Sequence, residues 1–345
     1  MKKIVTIVGA RPQFVKAAIL RRLFDSSPNF IEILVHTGQH YDEKMSDIFF
    51  QELEIKAPEY HFDINGKSHG AMTGEMLTAI ERVLLKEKPD ACLVYGDTNS
   101  TLAGSLAAAK LHIPVIHVEA GLRSFNKRMP EEVNRILTDH ISDFLFCSTY
   151  AGVEILKQEN ITKGVHHVGD IMYDAVLHMK QKISDVTSVQ GVDLTDRPIA
   201  ACTIHRAENT SEKAILSEVM DYINTFSSEY KIILPVHPRT RAAMDKFNLS
   251  FGNIHTINPV GYLEMQTLLN ASKCVFTDSG GLQKEAYFHD VPCVTLRDET
   301  EWVELVANGW NRLWRTKGYT ERKPIPEYGT GKSGEEILKI LADSL

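Results

Sequence analysis

Three carboxylates stand where short apolar runs of the sequence give way to turns or helices. Asp97 and Glu119 each follow a strand-like run, and Glu131 opens a helical pattern. Since the carboxyl ends of neighbouring parallel strands meet at one edge of a sheet, we expect these acids to be neighbours. Carboxylates that share a site have their pKa values pushed apart, which suits proton removal and return. The alternative is that Asp97 caps a helix and Glu131 complements a helix dipole.

Positive charge follows the first predicted strand. Its end reads Gly9-Ala10-Arg11-Pro12, and Lys16 comes one turn into the helix that Pro12 opens. A glycine turn that leads into a helix N-terminus can hold an anion, and Arg11 and Lys16 would strengthen it. The glycines of a dinucleotide-binding fingerprint are missing. A tight turn with a solvated arginine explains the pattern equally well.

The strongest local signal is the stretch Thr277–Glu285, where a strand ends in small residues and a helix begins. Ser279, Gly280 and Gly281 would direct backbone N–H groups at a phosphate. Glu285, one turn further on, could accept hydrogen bonds from ribose hydroxyls. A glycine-rich helix start with an exposed glutamate is the weaker alternative.

Two further strand ends carry histidine and arginine. His205 and Arg206 follow one predicted strand, and His237 ends another. These side chains are placed to meet a ligand phosphate, although a lone histidine is more often structural.

Strand-like and helix-like patterns alternate along the whole chain, which predicts crossover units and parallel sheets. The rhythm restarts after Gly169. We therefore predict an α/β fold of two doubly wound, Rossmann-like domains that face a central cleft, covering 1–169 and 170–332. Residues 333–345 form a terminal helix predicted to pack on the first domain.

Length and composition set limits on the function. The chain has 345 residues and a net charge of −7, which argues against nucleic-acid binding. Its apolar runs fall short of a membrane span, and the N-terminus lacks a cleavage site, so we expect a cytoplasmic protein without a membrane partner. The five widely spaced cysteines are expected to be reduced core thiols.

Taken together, the motifs resemble the non-hydrolysing UDP-N-acetylglucosamine 2-epimerases along nearly the whole chain. The matching stretches are Gly9–Pro12 with Lys16, Thr37–His40, Gly96–Thr98, His117–Arg123, Pro130–Arg135, His205–Glu208, Pro235–His237 and Asp278–Glu285. The resemblance implies the two-domain architecture called GT-B, a homodimer, and a UDP-sugar as substrate.

The resemblance also implies roles for individual residues. The catalytic residues would be Asp97, Glu119, Glu131 and His205. The substrate and UDP contacts would be Arg11, Lys16, Arg135, Arg206, His237, Tyr262, Ser279, Gly280, Gly281, Glu285 and Glu301. A second, activating UDP-sugar would bind near Gln39, His40 and Glu132.

The sequence departs from the family pattern at three places: Asp42, the stretch 67–70 and the stretch 300–304. The stretches 68–74 and 300–304 are similar to the branch that epimerises UDP-2,3-diacetamido-2,3-dideoxyglucuronate. These departures affect the activator site and the sugar, not the reaction.

The reaction implied is epimerisation at C2, UDP-GlcNAc to UDP-ManNAc in type, which would feed surface polysaccharide synthesis. UDP leaves C1 as a proton leaves C2, which gives a 2-acetamidoglycal. A proton then adds to the other face of C2, and UDP adds to C1 again. No metal or redox cofactor is required. The alternatives are the same reaction on the diacetamido uronate, a hydrolysing 2-epimerase, a GT-B glycosyltransferase and a nucleotide-sugar sensor without turnover.

Overall fold

The computed structural model describes residues 1–39, 52–53 and 56–345. The chain forms two compact units. The first comprises Met1–Ala175 and Pro326–Leu345, and the second comprises Val176–Ile325. The division lies inside the helix Ile171–Ile183, a few residues beyond the junction predicted at Gly169.

The first unit is built on a parallel sheet of seven strands in the order β3-β2-β1-β4-β5-β6-β7. These are β1 (Lys2–Val8), β2 (Phe30–His36), β3 (Tyr60–His61), β4 (Ala91–Tyr95), β5 (Val115–Val118), β6 (Phe144–Cys147) and β7 (Val165–His167). The central strand β4 is apolar and buried along its length, and β5 is buried along its length with one polar residue, His117, as expected for a sheet that is covered on both faces.

Within the described ranges, six helices belong to the connections of this sheet or follow it. They are α1 (Arg11–Ser26), α2 (His69–Glu87), α3 (Asn99–Lys110), α4 (Pro130–His140), α5 (Tyr150–Gln158) and α6 (Ile171–Ile183). Pro12 and Pro130 stand in the first turns of α1 and α4, where a missing N–H removes no helical hydrogen bond.

The second unit contains a parallel sheet of six strands in the order β12-β11-β10-β13-β14-β15, and a small hairpin, β8-β9. The strands are β8 (Ser188–Val189), β9 (Val192–Asp193), β10 (Ile199–Thr203), β11 (Lys231–Pro235), β12 (His255–Ile257), β13 (Ser272–Thr277), β14 (Cys293–Thr295) and β15 (Asn311–Leu313). The helices are α7 (Ala207–Thr210), α8 (Lys213–Asn224), α9 (Pro238–Phe247), α10 (Tyr262–Ala271), α11 (Gly280–Phe288) and α12 (Val303–Ala307).

Both sheets contain the doubly wound order 3-2-1-4-5-6, to which the first sheet adds β7 as a seventh strand, so the predicted α/β class with two Rossmann-like domains is confirmed. In such sheets the connections change direction beside the first strand. This switch point lies between β1 and β4 in the first unit, and between β10 and β13 in the second. Ligands of this fold bind beyond the carboxyl ends of the strands at that point.

The terminal helix α13 (Ser333–Ser344) returns to the first unit and packs on α1. Its first turn is held by Asp174, which accepts hydrogen bonds from Ser333 N at 3.2 Å and Gly334 N at 2.8 Å. A Cβ on Gly334 would lie 2.8 Å from Leu23 Cδ1, so glycine permits this close approach.

All five cysteines are buried and free, as the sequence predicted. None of the helices in the described ranges is long and apolar enough to cross a membrane.

Candidate active site

A buried glutamine connects the two strand ends at the switch point of the first unit. Gln13 Oε1 accepts from Gly9 N at 2.7 Å and Ala10 N at 3.0 Å. Its Nε2 donates to Tyr95 O at 2.7 Å and Thr98 Oγ1 at 3.0 Å. The amide thus fixes the turn before α1 against the turn before α3. Gln13 was not among the predicted site residues, and its only signal in the sequence was its place in the first turn of a predicted helix, close to Arg11.

Asp97 stands in the second of these turns, directly after β4. Arg135 Nη2 donates to Asp97 Oδ2 at 2.6 Å, and Asn134 Nδ2 donates to the Asp97 carbonyl at 2.9 Å. The Asp97 side chain is 31% exposed. Burial raises the pKa of Asp97 although Arg135 lowers it, and the charge of Glu119 adds to the increase. Asp97 is therefore a carboxyl group that can hold a proton more readily than an exposed aspartate.

Glu119 follows the neighbouring strand β5 in an unusual backbone conformation. Its φ is +74°, in the left-handed region that residues with a Cβ rarely adopt. Its N–H and that of Ala120 both donate to Phe146 O at 3.0 Å, which holds the conformation. The carboxylate forms an ion pair with the buried Lys16. Strained residues of this kind cluster at active sites.

The side chains of Lys16, Asp97, Glu119 and Arg135 are called the acid cluster below. The structure brings Asp97 and Glu119 to one edge of the sheet because β4 and β5 pair in parallel, with Tyr95 opposite Val118. Each carboxylate has its own cation. Such pairing favours the ionised form of a carboxylate, in opposition to burial.

The predicted activator residues lie near this cluster only in part. Glu132 is buried and accepts from Ser124 N and Phe125 N at 2.8 Å and from Arg135 Nη1 at 2.9 Å. Burial opposes its ionisation, but these hydrogen bonds outweigh burial and hold the pKa of Glu132 below its usual range. Glu132 therefore organises a loop in this structure.

Gln39 Oε1 accepts from Ser100 N at 3.0 Å and Ser100 Oγ at 2.8 Å, so it also supports the start of α3. His40 and Asp42 lie outside the described residues.

A buried network supports the turn that carries Asp97. His117 Nδ1 lies 2.7 Å from Asp139 Oδ1, and its Nε2 lies 2.8 Å from the carbonyl of Gly96. A carboxylate and a carbonyl only accept hydrogen bonds, so both ring nitrogens donate when both bonds form. Arg123 Nη1 donates to the other Asp139 oxygen at 2.7 Å. The motif His117–Arg123 was noted in the sequence, but this structural role was not.

Glu131 and Arg11, two further predicted site residues, stand in the first turns of helices. Glu131 is exposed in the first turn of α4, and no hydrogen bond or ion pair joins it to the cluster among the residues described. Arg11 is half-buried as the first residue of α1.

In the second unit, Asp278 connects the two strand ends at the switch point. It is fully buried and accepts from His205 N and Arg206 N at 2.9 Å. His205 Nδ1 lies 3.1 Å from Asp278 Oδ1. Burial opposes ionisation, but the hydrogen bond and charge of His205 outweigh it, so the pKa of Asp278 is lowered. His205 is thereby oriented with 39% of its side chain exposed.

The start of α11 is the junction of strand and helix that the sequence predicted. Ser279 precedes the helix, and Gly280 and Gly281 form its first turn, all three half-buried. The segment Ser279–Gly281 is called the anion turn below. Glu301 lies beside it, since a Cβ on Gly280 would be 2.4 Å from Glu301 Oε1. Burial opposes ionisation of Glu301, but Arg297 at 2.9 Å outweighs it and holds the pKa of that carboxyl low.

A second buried glutamine holds the anion turn in place. Gln283 Nε2 donates to Ser279 O at 3.2 Å, and its Oε1 accepts from Thr295 Oγ1 at 3.1 Å and Thr300 Oγ1 at 2.7 Å. It connects the turn to β14 and to the polar stretch that follows.

Glu285 is the third member of a chain of buried polar groups. Gln266 Nε2 donates to Glu285 Oε2 at 2.5 Å, and Gln266 Oε1 lies 2.8 Å from His289 Nε2, which must donate. Burial lowers the pKa of His289 to about 3, so it stays neutral. Burial, with the charge of Glu285, raises the pKa of Tyr262 well above its usual value.

His237 lies at the start of α9, where it is exposed and its Nδ1 accepts from Arg239 N at 3.1 Å. Its ring centroid is 5.7 Å from that of His205. Both histidines therefore stand at the carboxyl end of the second sheet.

Comparison with known proteins agrees with this geometry. The family model described as UDP-N-acetylglucosamine 2-epimerase matches residues 22–342. A UDP-2,3-diacetamido-2,3-dideoxy-D-glucuronate 2-epimerase of Pseudomonas aeruginosa is 52% identical over 99% of this chain and 99% of its own. A UDP-N-acetylglucosamine 2-epimerase of Methanocaldococcus jannaschii is 42% identical over 98% of each chain.

Solved structures extend the comparison to the fold. The crystal structure of Methanocaldococcus jannaschii UDP-GlcNAc 2-epimerase in complex with UDP-GlcNAc and UDP has a TM-score of 0.88 and 39% identity, covering 99% of this chain and 100% of that one. The UDP-GlcNAc 2-epimerase of Neisseria meningitidis bound to UDP-GlcNAc also has a TM-score of 0.88, at 28% identity, covering 99% and 100%. From the family match and the identities over nearly its whole length, this chain belongs to the UDP-N-acetylglucosamine 2-epimerase family.

Proposed function

We propose that this protein interconverts the C2 epimers of a UDP-2-acetamido sugar without hydrolysing it. The observation that carries the proposal is the acid cluster, in which two carboxylates on adjacent strand ends each have a cation. Relatives that are similar over their whole length act, by their names, on UDP-N-acetylglucosamine or on the diacetamido uronate.

The acid cluster supplies the proton chemistry. No carbonyl group is adjacent to C2 to acidify its proton. Loss of that proton must therefore accompany departure of UDP from C1. One carboxylate accepts the proton as the C1=C2 double bond of the 2-acetamidoglycal forms. A second acid then returns a proton to the other face of C2, and UDP re-adds to C1. The raised pKa of Asp97 suits proton donation, and the Lys16 contact of Glu119 favours the ionised form that a base requires.

The second unit supplies the groups that hold the leaving UDP. The anion turn directs backbone N–H groups of a helix start at a diphosphate, and Arg206 and His205 add donors. Glu285 would accept hydrogen bonds from the ribose. Arg11, Lys16, Arg135, His237, Tyr262 and Glu301 remain proposed substrate contacts, Glu131 a proposed catalytic acid, and Gln39, His40 and Glu132 a proposed activator site.

The substrate is proposed to be UDP-GlcNAc or UDP-2,3-diacetamido-2,3-dideoxyglucuronate. The second is favoured by the relative of 52% identity and by the stretch Thr300–Glu304. The homodimer, the cytoplasmic location and the place in polysaccharide synthesis stay predictions from the sequence.

Turnover in heavy water tests the reaction. Each UDP-sugar is incubated with the protein, and the products are read by NMR and mass spectrometry. We expect a 2-epimer with deuterium at C2 for one of the two sugars and no free sugar. Product without deuterium would rule out elimination, and free 2-acetamido sugar with UDP would show a hydrolysing enzyme. UDP release that requires an added acceptor would show a glycosyltransferase.

A further inference from the structure

Trp302 holds a buried hydrogen-bond donor that has no acceptor. The side chain belongs to a residue that is only 5% exposed, and its Nε1 has no hydrogen-bond partner in the parts of the chain that the structure describes. An indole nitrogen can only donate. Buried donors are nearly always satisfied, and leaving one unpaired destabilises a protein. A ligand that supplies the acceptor would remove this cost.

The unpaired donor lies at the anion turn. A Cβ built on Gly280 would be 3.7 Å from Trp302 Nε1. Gly280 is the first residue of the nine-residue helix α11, and the first N–H groups of a helix have no acceptor within it. The indole donor therefore lies close to backbone donors, where the helix dipole favours negative charge.

The indole and the anion turn are attached to one support. Gln283 donates to Ser279 O and accepts from Thr300 Oγ1, and Thr300 Oγ1 in turn accepts from Trp302 N at 3.2 Å. The ammonium of Lys284 lies 4.0 Å from the centroid of the Trp302 ring. These contacts fix the ring, so the N–H is positioned before a ligand arrives.

We propose that the indole N–H of Trp302 donates a hydrogen bond to an oxygen of the diphosphate of the UDP-sugar. This inference rests on the proposed function, because it takes the anion turn as the place of that diphosphate. Trp302 is then a binding residue for the diphosphate, and its loss weakens UDP binding and raises KM.

The test replaces Trp302 by phenylalanine, which keeps an aromatic ring over Lys284 and removes only the N–H and part of the ring. Binding of UDP and of uridine is measured by calorimetry. We expect the Kd for UDP to increase about tenfold, as for a hydrogen bond to a charged group, and the Kd for uridine to stay unchanged. The matched control is Trp310→Phe, because Trp310 Nε1 donates within the protein to Lys323 O at 2.8 Å.

An unchanged UDP affinity in Trp302→Phe would overturn the proposal. An equal loss for uridine would overturn it too, because the indole would then act on the nucleoside or on the fold.

A second measurement follows ligand binding in the unaltered protein and uses the variant only to assign an NMR signal. The chain has three tryptophans, so its indole N–H groups give three NMR signals, and Trp302→Phe identifies one of them. Inorganic pyrophosphate and UDP should each move the Trp302 signal downfield in the unaltered protein. A signal that moves with neither overturns the inference, even while the unaltered protein forms the 2-epimer. Absence of any epimer from either sugar would instead count against the proposed function.

Discussion

The acid cluster and the anion turn occupy equivalent places in two sheets of the same strand order, yet they are built from different groups. The acid cluster consists of charged side chains, and Asp97 keeps 31% of its exposure. The anion turn consists of backbone, and the buried side chain of Gln283 donates a hydrogen bond to its Ser279 carbonyl. The comparison shows that the same sheet topology can place either titratable side chains or fixed backbone dipoles at its switch point.

The acid cluster and the anion turn differ physically in whether their groups can change protonation state. Carboxylates with nearby cations can gain or lose a proton while the backbone stays in place, which suits bond breaking to hydrogen. Backbone N–H groups cannot titrate, and they can hold the diphosphate both before and after its bond to C1 breaks. We therefore expect changes in the acid cluster to affect kcat and changes at the anion turn to affect KM.

The largest effect is expected for Asp97→Asn. The amide is nearly isosteric but cannot exchange a proton, so kcat should decrease by roughly 10²–10⁴-fold while UDP affinity stays the same. Steady-state kinetics and calorimetry with UDP check this. Asp343→Asn, on the exposed side of α13, is the control and should leave both unchanged. A weaker UDP affinity with a normal kcat would contradict the assignment of kcat effects to the acid cluster and KM effects to the anion turn.

Glu285→Ala should show the opposite pattern. Loss of a charged acceptor for the ribose should raise KM by roughly 10- to 100-fold and leave kcat within a few-fold. The control is Glu229→Ala, whose side chain is exposed. A collapsed kcat at unchanged KM would place Glu285 in the chemistry and end the comparison.

The two buried glutamines allow a matched test of the supports. Gln13→Leu leaves the N–H groups of Gly9 and Ala10 without an acceptor, and Gln283→Leu removes the acceptor of Thr295 and Thr300. Each should lower the free energy of unfolding by about 2 kcal/mol in chemical denaturation. Gln13→Leu should also lower kcat, and Gln283→Leu should raise KM. The exposed Gln158→Leu is the control, and identical kinetic effects of the two core variants would contradict the comparison.

The smallest effect concerns pH. His289 has a pKa of about 3 in the folded protein against an ordinary value of 6.5, so the unfolded chain binds the proton more tightly. The contribution of His289 to the free energy of unfolding is therefore fully present above pH 6.5, and it is lost as the pH falls towards 3. Between pH 7.5 and 5.5 the loss is about 1 kcal/mol. His289→Gln should remove this part of the pH dependence of unfolding, whereas the exposed His255→Gln should not.

Much of the fold could be predicted from local patterns. The alternation of apolar runs and helical stretches indicates the α/β class, because parallel strands that are buried on both faces must be apolar throughout. The strand-to-helix junction at Thr277–Gly281 was equally visible, since an apolar run there gives way to small residues and then to a helical pattern. The supporting residues were not visible. Gln13, Gln283 and Asp139 read as ordinary polar residues of amphipathic helices, and their roles depend on partners far along the chain.

The sequence by itself determined the class of fold, the positions of the strand ends and the family, because motif spacing and periodicity are local properties. Only the tertiary structure decided which strand ends are neighbours and how each acid is paired. Lys16 meets Glu119, and Arg135 meets both Asp97 and Glu132. Glu131, adjacent to Glu132, stays exposed while Glu132 is buried. Neighbouring residues on a helix point in different directions, and what each direction meets depends on the packing of distant elements.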